Sequence, residues 1–389
     1  MTWKPLLAGL GAMALFALAP KAGHDTEISV IRVPHGGIQP EAVLDGTSLH
    51  LLYYKGDPKA GDLFYVKSTD FGATWSEPLR VNSEPGTALA IGTIRGGQLA
   101  IGRSGRVHVA WNGSSTAESE GPVNPEAGKR GAPMLYSRLN DAGTAFEPAR
   151  SLMRRTFGLD GGGAIAADRS GDVYVAWHGK ARGAPAGEAG REVWLTVSRD
   201  DGRTFATEEP AWNQLTGACG CCGMGMFADS KGVIRVLYRS ATEDVHRDIY
   251  LLTSADHAHR FNGRKLHAWD INACPMSSMS LAEGAGEVLG AWETGGQVFF
   301  EQLTKGNASP VNAPGDGTGR KHPRIAVAGD HRVLMIWTEG TGWQKGGSLA
   351  WQEFDSNGRA LGDRGSAVGV PIWSFGSVIA KTEGFLIIY

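Results

Sequence analysis

One unit recurs along the chain and restricts its possible folds more than any other feature. It is a short apolar strand, a glycine-containing turn, and a second apolar strand that ends in Trp or Tyr. The closing aromatics are Tyr53, Trp111, Trp177, Tyr238, Trp292, Trp337 and Tyr389, spaced 58, 66, 61, 54, 45 and 52 residues apart. Both strands of each pair are largely apolar, the pattern of strands buried on both faces. Units of this length have room for about four short strands. Their repetition predicts an all-β propeller of six or seven four-stranded blades, with seven the nearer count because there are seven hairpins. A ring of sheets must protect its edges. The chain ends on a hairpin, 373–389, and the folded part begins with an unpaired strand, 27–33. The simplest closure joins these two ends in one blade.

Composition agrees. The 56 glycines among 389 residues are about twice the usual ~7% and lack a period of three, which excludes collagen and fits many tight turns. Lys and Arg total 38, Asp and Glu 40, for a net charge of −2. No positive field exists to hold nucleic acid or an anionic membrane. Residues 1–22 read as a signal peptide. Lys4 supplies the positive start, and 6–19 is an apolar run too short to span a bilayer comfortably. Cleavage is expected after Ala19 or Ala22. The remainder, 23–389, reads as one domain, periplasmic or secreted, with no stable membrane insertion.

A second motif follows most hairpins. Ser68-Thr69-Asp70-Phe71-Gly72-Ala73-Thr74-Trp75 is matched by Ser198-Arg199-Asp200-Asp201-Gly202-Arg203-Thr204-Phe205. Weaker copies are 141–146 and Ser254-Ala255-Asp256, which runs on to Phe261. In such a turn Asp accepts backbone N–H bonds, the hydroxyls add local bonds, and Gly takes a positive φ. These repeats resemble the Asp boxes, or BNR repeats, of the sialidase superfamily. The resemblance implies a β-propeller with the boxes at its periphery, and it does not by itself imply sialidase activity.

Sialidases use a Tyr nucleophile activated by a Glu, an Arg triad that grips the substrate carboxylate, and an Asp as general acid. By resemblance, Arg32 in Ile31-Arg32-Val33-Pro34, then Arg239 with Arg247 eight residues on, then Arg324 are the arginine candidates. Asp57, Asp62, Asp160 and Glu243 are the acid–base candidates. The stretch where the family places its Glu is Cys221-Cys222-Gly223-Met224-Gly225-Met226, with no carboxylate. Tyr389 is the last residue and reads as the end of a hairpin. The resemblance therefore implies the frame more than the conventional chemistry.

All four cysteines are concentrated as Cys219, Cys221, Cys222 and Cys274, beside Met224, Met226, Met276 and Met279. Two adjacent repeats begin alike, Ala218-Cys219 and Ala273-Cys274, and each leads into an innermost strand near the axis. An even count in an exported chain reads as disulfides, with Cys221 or Cys222 joined to Cys274. Alternatively, thiolates and thioethers form a soft-metal site for copper or zinc, or a redox pair. No other cofactor is expected. Two functions stay open: a carbohydrate-directed propeller, hydrolase or binding protein, with a glycan or other small ligand in the central channel; and a metal, redox or protein-scaffold propeller.

Overall fold

A computed structural model describes Met1 and residues 27–306, 308–315 and 317–389. The expected signal peptide falls on residues that lie, apart from Met1, outside this range. Seven antiparallel hairpins stand around one axis, as the repeat predicts. Blade 1 is built from Ile38–Asp45, Ser48–Asp57, Ala60–Ser68 and Leu79–Arg80. Blade 2 comprises Gln98–Ile101, Val107–Asn112, Met134–Arg138 and Arg150–Ser151, and blade 3 Ala164–Ala167, Val173–Ala181, Glu192–Ser198 and Glu209–Pro210, with a fifth short strand, Thr156–Phe157, paired to the end of Val173–Ala181. Blade 4 runs from Gly225–Ala228 through Ile234–Arg239 and Ile249–Ser254 to Asn262–His267. Blade 5 contains Ser280–Gly284, Glu287–Thr294, Gln297–Gln302 and Val311–Asn312; blade 6 contains Arg320–Val327, Val333–Glu339, Gly347–Phe354 and Ala360–Val370.

Blade 7 closes the ring. Ser377–Ala380 pairs antiparallel with Phe385–Ile388, which pairs parallel with the N-terminal strand Ile28–Ile31. It therefore departs from the four-stranded expectation, with three strands among the described residues. Parallel pairing follows from joining two chain ends, because no connection need turn back between them. Val33 N–H donates to the Tyr389 carbonyl at 3.0 Å and Tyr389 N–H to the Ile31 carbonyl at 3.1 Å, so the last residue does end the closing hairpin.

The second strand of each blade is its most buried. Trp111, Trp177, Trp292 and Trp337 are all at most 1% exposed. These tryptophans are core between blades and not ligand platforms. The seven first strands surround a channel of about 540 Å³. It runs from Glu41, Gln98 and Arg324 near mid-depth to Asp45, Arg169, Ser230 and Glu283 at the turns of one face. Towards the opposite face the axis is plugged by Ile94: a Cβ on Gly162 would collide with its carbonyl oxygen.

The repeated Ser-X-Asp turns lie on the face where the channel opens and tie neighbouring blades together. In blade 3 the Ser198 hydroxyl accepts from Gly202 N–H at 2.9 Å and Asp200 N–H at 3.3 Å, and donates to Asp200 at 2.8 Å. Asp200 then accepts from Thr204 N–H at 2.8 Å and its hydroxyl at 2.6 Å. The turn delivers Phe205 edge-on to Tyr136 of blade 2, with centroids 4.7 Å apart. Ser198 is 1% exposed. Ser198→Ala leaves two backbone N–H groups without their acceptor and is expected to cost about 1–2 kcal/mol, read as a lower urea midpoint at unchanged slope. An unchanged midpoint would show that the turn does not hold the blades.

Candidate functional site on the loop face

The face opposite the Ser-X-Asp turns carries the loops that lead into the inner strands, and most of the chemically interesting side chains meet there. The loop before blade 2 supplies Arg95. Its Nε donates to the Asp160 carbonyl and its Nη2 to the Asp160 carboxylate, both at 2.6 Å. Asp160 belongs to the loop before blade 3, and its side chain remains 41% exposed. Arg191, from blade 3, reaches Asp160 at 3.9 Å and Glu188 at 3.2 Å. Glu188 also accepts from Gly220 N–H at 2.6 Å and from Arg247 at 2.5 Å. A chain of alternating charges thus runs from Arg95 through Asp160, Arg191 and Glu188 to Arg247.

That chain ends at the cysteine loop before blade 4. The Sγ of Cys219 lies 3.3 Å from that of Cys222 and 3.4 Å from that of Cys221. The glycines that follow Asp160 pack this loop against its neighbour. A Cβ on Gly161 would lie 2.6 Å from His178 Cε1 and 2.7 Å from the Cys222 carbonyl oxygen. The thiols titrate as a group. Burial opposes ionisation of Cys222, but bonds from Cys219 and Cys221 and the Arg239 charge outweigh it and hold this thiol well below the ordinary range. Cys221 is pushed up, first by its bond with Cys219. Cys219 is also pushed up: the contact with Cys221 works against this, but the bond to Cys222 and burial prevail.

All four cysteines are free thiols. The expected link from Cys221 or Cys222 to Cys274 is not formed; Cys274 is exposed and stands outside the group of three sulfurs. The thioethers line other walls. Met224 borders a small void on the axis with Ile94, Ser278 and Phe375, and Met276 a dent beneath Trp343 and Trp373. Met226 and Met279 line the channel.

The arginines expected to act together are dispersed. Arg32 straps blade 7 to the outer strand of blade 6 through the carbonyls of Val368 and Gly369, its guanidinium 3.9 Å from the centre of the Tyr389 ring. Arg239 is buried, paired with Glu293 at 3.2 Å and packed 5.0 Å from the Trp269 ring centre. Burial pushes the Glu293 carboxyl up, only partly offset by the Arg239 charge. Arg324 sits in the channel wall, bound to Glu41 and 4.6 Å from the centre of the Phe375 ring. Burial raises the Glu41 carboxyl against the pull of Arg324. Glu243 is 81% exposed on the loop after the second strand of blade 4, beside His246. Asp62 is occupied by Asn82 Nδ2 at 2.7 Å and Gly86 N–H at 2.9 Å, and Asp57 accepts from Lys59 N–H at 2.9 Å. Of the catalytic candidates, the structure brings Asp160 and Arg247 into one loop-face chain, sets Arg239 beneath it, and leaves Arg32, Arg324, Asp57, Asp62 and Glu243 outside it.

Sequence reasoning missed Arg95, Glu188, Arg191 and Trp343. Trp343, on the loop after the second strand of blade 6, is 53% exposed. It meets Trp373 edge-on with centroids 4.8 Å apart. It also neighbours Arg95: a Cβ on Gly92 would collide with the Arg95 guanidinium and lie 3.7 Å from Trp343 Cζ3. On the opposite face, Asp168, Asp172 and His257 also converge. Arg199 already occupies that cluster, 2.5 Å from Asp172 and 2.6 Å from the His257 carbonyl.

No family model matches the sequence, and no curated protein resembles it at the sequence level. The likeness to solved structures is one of fold. A protein of unknown function from Dyadobacter fermentans superposes with a TM-score of 0.53 at 16% identity, over 82% of this chain and 94% of the other. Trypanosoma rangeli sialidase gives 0.52 at 12% identity, over 80% and 54%. The NanB sialidase of Streptococcus pneumoniae gives 0.50 at 12%, over 78% and 65%. The chain thus spans less than two thirds of either sialidase's length. Its fold is that of a divergent sialidase-like, seven-bladed β-propeller.

Proposed function

We propose that this is an exported, carbohydrate-directed propeller that binds a glycan on its loop face rather than cleaving sialosides by the conventional route. The observation that carries this reading is the exposed Trp343 ring beside the Arg95–Asp160 ion pair. A flat aromatic face suits the apolar side of a sugar ring, and a few fixed polar groups beside it set orientation. Asp160 offers an accessible carboxylate to sugar hydroxyls, while Arg95 and Arg191 hold it in place. The resemblance of the Ser-X-Asp turns to Asp boxes supports the same reading. A carboxylate-gripping Arg triad is not supported, because Arg32, Arg239 and Arg324 are each engaged at separate places. Each guanidinium of the loop-face chain is already paired with Asp160 or Glu188, so none is left unpaired to grip an acidic sugar, which favours neutral glycans.

The test is a glycan array followed by calorimetry on the best ligand. Trp343→Ala and Asp160→Asn are each expected to weaken binding about tenfold or more, since one aromatic or charge-assisted contact contributes about 1.4 kcal/mol or more. Sialoside hydrolysis is expected to be undetectable in the same samples. Binding that survives both substitutions, or sialic acid release by the unsubstituted protein, would overturn the reading.

A further inference from the structure

The glycan reading leaves one unit on the loop face unused: the thiols of Cys219, Cys221 and Cys222. Their three sulfurs lie within 4.8 Å of one another. Cys219 and Cys222 are buried at 1% exposure, and Cys221 is half-buried at the surface end. The loop is fixed by bonds that do not involve sulfur. Cys219 N–H donates to the Arg239 carbonyl at 2.9 Å, Gly220 N–H to Glu188 at 2.6 Å and Gly223 N–H to the Ser277 carbonyl at 3.0 Å. His178 Nε2 contacts the Cys222 carbonyl at 3.0 Å. Blades 3 and 4 and the loop into blade 5 therefore hold one turn in the shape that gathers the three sulfurs.

We propose that the thiolates of Cys219, Cys221 and Cys222 bind one Cu(I) ion in a three-sulfur site entered past Cys221. Among the described residues, no His, Asp or Glu joins the three sulfurs within the same reach. Structural zinc almost always takes four ligands, whereas soft thiolates select Cu(I), which accepts three. A metal about 2.3 Å from each sulfur sets trigonal sulfurs roughly 4 Å apart. The observed 3.3 and 3.4 Å need to open by about 0.6–0.7 Å to reach that trigonal spacing, a change within reach of side-chain rotation. Three thiolates and one Cu(I) carry a net charge of −2, and the guanidiniums of Arg239 and Arg247 bear on the same sulfurs. Binding releases the thiol protons to solvent. No electron moves, so copper must arrive already reduced.

The reduced chain is titrated anaerobically with Cu(I) against bicinchoninate. One equivalent is expected to be retained. Cys219→Ser and Cys221→Ser are each expected to weaken retention at least 100-fold. Cys274→Ser, outside the cluster, is expected to change nothing. Copper is expected to protect three of the four cysteines from alkylation in the unsubstituted chain, a readout independent of whether a variant folds. X-ray absorption is expected to show a first shell of sulfur alone. Preference for zinc over Cu(I), no retained copper, equal weakening by Cys274→Ser, or protection of fewer than three cysteines would each overturn the proposal. None of these outcomes bears on glycan binding.

Discussion

Arg239→Ala is expected to destabilise the protein by about 3–5 kcal/mol, one of the largest losses available from a single side chain outside the apolar core. Arg239 and Glu293 are both 2% exposed and face each other at 3.2 Å. Arg239 also donates to the carbonyls of Arg247 and Glu293, which joins the second strands of blades 4 and 5. Removing the guanidinium leaves two carbonyls without their donor, and a carboxylate that keeps only the Gly296 N–H at 2.7 Å and no cation paired with it, in a site that water enters poorly. The cost is that of an uncompensated buried charge more than that of the pair, so Glu293→Leu combined with Arg239→Met should lose much less than Arg239→Ala alone. The pH dependence has a definite sign. Burial already raises the Glu293 carboxyl pKa, and loss of Arg239 raises it further. An acid whose folded pKa is raised is stabilised in its protonated form, so the folded chain binds the proton more tightly than the unfolded chain does. The deficit of Arg239→Ala relative to the unsubstituted chain is therefore expected to shrink as pH falls towards 4.5. Urea midpoints of both proteins across pH 5–8 check this, and a constant difference would mean that Glu293 is not left charged and unpaired.

The same pair shows where the sequence was readable and where it was not. Tyr238-Arg239 and Trp292-Glu293 stand at equivalent places in adjacent repeats, directly after a run of apolar residues. Periodicity therefore located both at the end of an inner hairpin. It could not tell that they pair with each other, because that depends on the rotation between blades. The blade count and the closure of the ring were legible for a similar reason: both follow from strands that must be buried on two faces. Blade 7 has three strands among the described residues, because one strand, Ile28–Ile31, joins the hairpin there. The loop-face site was only partly legible. Asp160 and the cysteines carry local signals, a Gly-rich run and close cysteine spacing. Arg95, Glu188, Arg191 and Trp343 come from four loops of unrelated sequence, and their meeting is a product of the ring alone. The disulfide expectation failed on geometry. Similar openings in adjacent repeats bring two segments to the same face, yet Cys274 remains exposed there while the other three sulfurs turn inward.

Acid is expected to unfold the protein at a higher pH than its turn aspartates alone would set, because four histidines, His50, His108, His178 and His322, are buried and held neutral. His50 and His108 occupy equivalent places in the second strands of blades 1 and 2, each 2.7 Å from a buried tyrosine hydroxyl, Tyr65 and Tyr136. His322 contacts the Ser278 hydroxyl at 3.2 Å. Burial lowers the imidazole pKa from 6.5 to about 4 for His50 and to about 3 for His108 and His322. The neighbouring cations Lys67, then Arg138 and Arg106, then Lys321 and Arg324 push the same way. Asp201 lies 3.6 Å from His108 but is shared with Arg106 and Arg138. In each case the unfolded chain takes up the proton first, so the stabilisation is complete above pH 6.5 and is lost as pH falls towards the folded value. At pH 4.5 the loss is on the order of 2–3 kcal/mol per histidine. The sum approaches the whole stability of a typical domain, about 5–15 kcal/mol. Glu41, Glu192 and Glu293, whose carboxyl pKa values burial raises, act in the opposite sense over part of this range. Circular dichroism is therefore expected to show a cooperative loss of β structure between pH 4 and 5.5. Replacing His50 and His108 together by Gln, which can still bond the tyrosine hydroxyl but does not titrate, should move that midpoint down. A midpoint near pH 3 in both proteins would instead assign acid unfolding to the turn aspartates, whose pKa values are lowered and whose stabilisation is lost only as pH falls below about 4.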